Sequence, residues 1–131
     1  MAQGPIYFIY GHTDITFDEF DEHYKSKIRK SNAKNPSCRY LVGNSQGCDQ
    51  LTQIFLREIG VSPERIRVCY RAPIPPENPY GYNLHEFQTK REAELYMIKR
   101  ATCHISWSRS IDDSSVIINN QRKVLNYNNK L

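Results

Sequence analysis

Four short segments hold most of the residues that could do chemistry: Gly11-His-Thr-Asp14, Gly43-Asn-Ser-Gln-Gly47 followed by Asp49, Arg71, and Ser108-Arg109 leading to Ser114. Together they supply glycines for close backbone approach, hydroxyls and amides for hydrogen bonds, two aspartates, and two arginines of the kind that grip phosphate bidentately. That inventory suits a nucleotide or a sugar phosphate. Arg91 has no structural duty visible in the sequence and joins them as a ligand candidate, and Trp107 could stack a base. Asp49 and Glu92 are the carboxylates available for acid–base work. Each residue also has a plainer reading. His12 can cap a loop, Asp49 can compensate a helix dipole, Glu92 can serve a capping box, and Trp107 can fill the core.

The elements that would position these residues alternate strand and helix. Ile6-Tyr-Phe-Ile-Tyr10 is a continuous apolar run ended by Gly11, as in a strand buried on both faces. Thr16 with Glu19 makes a capping box for a helix to about Asn32, whose apolar stripe is Phe17, Phe20, Tyr24 and Ile28. Arg39 to Val42 forms a second strand. It passes through the turn 43–47 into a helix with an apolar face of Cys48, Leu51, Thr52, Phe55, Leu56 and Ile59, closed at Gly60. Amides left open at that helix start, together with its dipole, would favour a phosphate. A third strand covers Ile66-Arg-Val-Cys-Tyr70, after a short turn at Ser62-Pro63-Glu64.

Residues 71–88 carry Pro73, Pro75, Pro76, Pro79 and Gly81, which exclude helix and sheet, and Tyr80, Tyr82, His85 and Phe87, which suggest a lid over a site as readily as a surface excursion. Thr89 and Glu92 then open a helix with Ala93, Tyr96, Met97 and Ala101 on its inner face. Cys103 to Trp107 is the fourth strand. Ser114 or Ser115 can cap a last helix before an asparagine-rich tail over 126–131. The βαβ order predicts one Rossmann-like α/β domain over 1–131. It would be a three-layer sandwich with a mostly parallel sheet of four to five strands, its ligand site beyond the strands' carboxyl ends.

Composition narrows the function less. The formal charge of +4 fits an anionic small ligand as well as nucleic acid. The basic run Lys25, Lys27, Arg29, Lys30 and Lys34 reads as the solvated face of a helix. Four widely spaced cysteines without a Cys-x-x-Cys point to reduced, mostly buried thiols. With no signal-like or membrane-spanning run, the expected location is the cytoplasm, without membrane association. Strict Walker and Gly-x-Gly-x-x-Gly fingerprints and metal-type His and Cys spacing are missing, so neither a cofactor nor a metal is expected.

Gly11-His-Thr-Asp-Ile-Thr16 with Phe20 and His23-Tyr24, Val42-Gly-Asn-Ser-Gln-Gly47-x-Asp49, Lys90-Arg-Glu92 and Ser114 to Arg122 together resemble the Rossmannoid nucleotide-binding SLOG superfamily, most of all its small YpsA-like members. The resemblance covers most of the chain. It implies that Gly11 and His12 line the first loop, and that Gly43, Asn44, Ser45, Gly47 and Asp49 form a phosphate or ribose turn. It further implies that Arg91 and Glu92 open the facing helix and that Ser114 and Asn119 contribute from the last segment. In that segment Ser115 and Val116 stand where relatives carry glycine and threonine, and the Pro-Gly-Gly-x-Gly-Thr motif of the family's phosphoribohydrolases is missing. The first expectation is therefore a site for a nucleotide-derived small molecule, with or without hydrolysis of an N-ribosidic bond. The alternatives are a nucleic-acid-binding module and a non-catalytic interaction protein, and a homo-oligomer is compatible with all three.

Overall fold

The apolar runs become the strands of one sheet because each places large side chains on both of its faces. The computed structural model describes residues 4–109. Its strands are β1 (Ile6–Ile9), β2 (Arg39–Val42), β3 (Ile66–Arg71), β4 (Asn83–Phe87) and β5 (Cys103–Ile105), all parallel, in the order β4-β3-β2-β1-β5. Strand order reverses at β1, where β5 joins on the side away from β2. The helices are α1 (Phe17–Phe20), α2 (Ser26–Lys34), α3 (Cys48–Glu58) and α4 (Lys90–Arg100). This is the expected Rossmann-like α/β architecture.

Alternation along the strands divides the core into two layers. Ile9, Val42, Val68 and Ile105 face Phe20, Tyr24, Ile28, Phe55 and Leu56 of the helices on one side. Phe8, Tyr10, Leu41 and Cys69 face Ala93, Met97 and Ile98 of α4 on the other. Cys38, Cys48 and Cys69 are buried and no cysteine pairs with another.

Three local expectations need correction. The first helix does not run uniformly from Phe17: a π-turn over Asp21–Lys25 joins α1 to α2. Its wider turn lets Phe20, Tyr24 and Ile28, spaced four apart, all reach the core, while Phe17 stays 76% exposed instead of joining their stripe. The second correction is at 71–88, which is not free of sheet. Asn83–Phe87 forms edge strand β4, with His85 and Phe87 packed on Tyr96 of α4. The third concerns the aromatics of that segment. The Tyr80 hydroxyl donates to the Val61 carbonyl (3.1 Å) and the Tyr82 hydroxyl to the Gln53 carbonyl (2.9 Å), so both are fastened to the α3 side and neither covers a cleft. The last helix from Ser114 or Ser115 and the tail over 126–131 lie outside the described residues.

Candidate functional site

A cleft of about 550 Å³ opens beyond the carboxyl ends of β1, β2 and β3, between the sheet and α4, within the range usual for small-molecule sites. Its inner wall is apolar and buried, formed by Phe8, Tyr10, Cys69, Ala93 and Met97. The polar groups come from the loops that follow the strands and from the first two turns of α4.

Asp49, in the first turn of α3, is the central ionisable group. Its Oδ2 accepts the Ser45 N–H at 3.0 Å, and glycine at 43 makes room for it, since a Cβ there would stand 2.6 Å from the same oxygen. Burial pushes the Asp49 carboxyl up to about 7. The Ser45 N–H and Lys90 oppose that rise, and Glu94 adds to it. A turn read as a phosphate cradle thus already holds the protein's own carboxyl group. A second amide there is also engaged, the Cys48 N–H donating to the His12 carbonyl at 3.1 Å. Gly47 shapes this start without lining the cleft: its φ is +77°, and a Cβ would collide with the Thr13 carbonyl. Gly11 does line the cleft, and a Cβ on it would strike the Tyr24 hydroxyl and Cys48.

The α4 wall presents Lys90, Ala93, Glu94 and Met97, a stripe at i, i+3, i+4 and i+7. Lys90 and Arg71 are exposed at the mouth, where Ile74, 80% exposed, adds an apolar edge. Thr13, Asp14, Asn44 and Ser45 complete the loop side. Arg109 also lines the cleft, but its guanidinium is engaged. Nε and Nη2 donate to Glu19 at 2.7 and 2.8 Å, and Nη1 and Nη2 donate to the side chain and carbonyl of Asp14, both at 3.0 Å. The Arg109 bonds hold the Glu19 carboxyl down at about 2. The Arg109 N–H donates to His12 Nε2 at 3.3 Å, so that nitrogen acts as an acceptor. Together these contacts tie the segment after β5 to the loop after β1.

The cleft therefore gathers Gly11, His12, Thr13, Asp14, Gly43, Asn44, Ser45, Asp49, Arg71 and Arg109 from the sequence candidates. It does not gather Gly47, Arg91, Glu92, Trp107 or Ser108. Arg91 and Glu92 are exposed on α4, where the Glu92 N–H donates to the Thr89 hydroxyl at 3.1 Å. Trp107 stacks on His23 with ring centroids 4.0 Å apart, so one face of the indole is already covered. Ser114 and Asn119 lie outside the described residues. Sequence reasoning missed Lys90 and Glu94. The signal was present in their spacing around Ala93 and Met97, which sets a charged pair beside the core-facing pair of α4.

Burial pushes the thiols of Cys48 and Cys69 up to about 12, so neither is a thiolate nucleophile at neutral pH. Among the described residues no cluster of three or more His, Cys, Asp or Glu could hold a metal ion, and no helix is long and apolar enough to cross a membrane. No protein-family model, curated protein or solved structure matches the chain.

Proposed function

We propose that the cleft binds a nucleotide or nucleotide-derived molecule of nucleoside monophosphate size and hydrolyses its N-ribosidic bond. The observation that carries this reading is the polarity of one cavity, which has cationic Lys90 and Arg71 at its exposed mouth and a protonatable Asp49 beside an apolar wall within. A phosphate at the mouth would place the ribose and base along Phe8, Tyr10 and Met97, with the glycosidic bond towards Asp49 and Glu94. The resemblance of the loops after the first two strands to SLOG proteins supports the same ligand class.

In the chemistry proposed, the Asp49 carboxyl donates its proton to a nitrogen of the departing base as the C1′–N bond breaks and its electron pair leaves with the base. Positive charge develops on the sugar, and the Glu94 carboxylate stabilises it. Water adds at C1′, and its proton passes to Glu94 and then through solvent to reprotonate Asp49. A carboxyl that titrates near 7 is suited to the first step at neutral pH.

Incubation with a panel of nucleoside monophosphates, followed by chromatography for free base, tests this. Wild-type protein should release base from at least one of them. Asp49→Asn should slow the release by roughly 10²–10⁴-fold, the usual span of general acid–base catalysis. Glu92→Gln should leave the rate unchanged. Base release by Asp49→Asn at the wild-type rate would place the chemistry elsewhere.

A further inference from the structure

At the amino ends of the strands, opposite the cleft, a second and much smaller groove is lined by Arg39, Arg65, Arg67 and Arg100, with Tyr96 and Glu64 beside them. Arg65 is engaged internally. Its Nε donates to the Cys38 carbonyl and its Nη2 to Asn32 Oδ1, each at 2.8 Å. The other three differ: among the described residues none of Arg39, Arg67 and Arg100 forms an ion pair. Two of them are nonetheless fixed by one neutral side chain. Arg67 donates to the Tyr96 hydroxyl, and the Arg100 guanidinium lies over the Tyr96 ring, 5.7 Å from its centroid. The field they create reaches His85, packed edge-on against Tyr96. Burial, then Arg67 and Arg100, hold its imidazole below the ordinary histidine range.

Three guanidiniums on one groove, with Glu64 the single carboxylate among its lining residues and ion-paired to none of them, repel one another, and an oxyanion between them removes that cost while accepting their N–H groups in pairs. We infer that this groove binds the phosphate group of a small anion, with Arg39, Arg67 and Arg100 as donors and Tyr96 positioning two of them. Size sets the ligand class. The groove is an open recess of about 40 Å³, far short of the roughly 300 Å³ at which small-molecule pockets begin. A nucleoside is too large for it; the phosphate sits across the recess against the guanidiniums, and whatever carries it stays in solvent. Free phosphate and a phosphorylated small molecule share this chemistry. The site is separate from the cleft and does not depend on the function proposed for it.

Calorimetric titration of the full chain with inorganic phosphate and with a sugar phosphate, at ionic strength matched with chloride, tests the inference. Wild-type protein and the cleft variant Arg71→Gln/Lys90→Gln should both bind inorganic phosphate at this site with the same Kd. Arg39→Gln/Arg100→Gln should bind it at least about tenfold more weakly with an unchanged far-UV spectrum, as expected for lost charge-assisted bonds. Arg100→Gln alone should show an intermediate loss and serves if the double variant fails to fold. Equal Kd values for the two anions would identify phosphate itself as sufficient, and tighter sugar-phosphate binding would identify the carrier as part of the ligand. An unchanged Kd in the groove variants would overturn the site. So would a short single-stranded oligonucleotide binding through these arginines while neither small anion gives heat, since the groove would then read a nucleic-acid backbone.

Discussion

Asp49 shows how much a residue type reveals and what only its surroundings add. An acid two positions into a helix is visible in the sequence, as is the glycine that lets it lie against the end of β2. That its carboxyl is held neutral up to about pH 7 follows from surroundings the sequence does not adjoin to it: burial against the sheet edge, to which Glu94 adds and which Lys90 opposes. The same gap separates Arg109 as expected, a phosphate ligand, from Arg109 as found, clamped by Glu19 and Asp14. Both partners lie about 90 residues away along the chain. A raised carboxyl pKa also has a stability consequence. The folded state retains the Asp49 proton where the unfolded chain, with its ordinary value of 3.8, releases it. This contribution is fully present below that value and is lost as pH rises through about 7, with a slope of up to about 1.4 kcal/mol per pH unit, lessened by the solvent that enters the cleft. Asp49→Asn keeps an acceptor for the Ser45 N–H and removes the titration. Its urea midpoint should therefore match wild type near pH 4 and exceed it at pH 8. A variant less stable than wild type at pH 8 would contradict the burial assigned to this carboxyl.

Among the elements, β1 was legible because burial on two faces leaves an apolar run that little else explains, as in Ile6–Ile9. Edge strand β4 was not legible. Only His85 and Phe87 pack inward there, Leu84 and Glu86 face solvent, and the prolines upstream mask a five-residue strand. The π-turn was hidden as well, since the spacing of Phe20, Tyr24 and Ile28 also fits an unbroken helix. Gly47, read as the end of the turn before α3, and Gly60, read as the close of that helix, separate under substitution. Each has a positive φ, +77° and +83°, but a Cβ at Gly60 would meet nothing within 4 Å, whereas at Gly47 it would meet the backbone of Thr13. Gly60→Ala should cost only backbone strain, about 1–2 kcal/mol. Gly47→Ala should cost clearly more, because the loop after β1 must move off the start of α3. Equal losses in urea denaturation would mean that this loop yields freely and does not set the shape of the cleft.

At the scale of the whole molecule, a parallel sheet gathers its post-strand loops at one edge, so the position of the cleft could be anticipated before its contacts were known. Topology placed the loops after β1, β2, β3 and β5 together. It left open that α4 would furnish a full wall, because Lys90 and Glu94 enter from a helix and not from a loop after a strand. The same topology puts the arginine groove at the other end of the strands, so that one small fold carries two recesses of different size, each with basic side chains in its lining. The central claim is that the larger of these is a nucleotide site oriented by its phosphate. Calorimetric titration of the full chain with matched pairs of nucleoside and nucleoside monophosphate tests it most directly. The account predicts one-to-one binding in which the monophosphate is about tenfold or more tighter than its nucleoside, an advantage that Lys90→Gln removes. Equal affinity for nucleoside and monophosphate, or no heat with any pair, would contradict it.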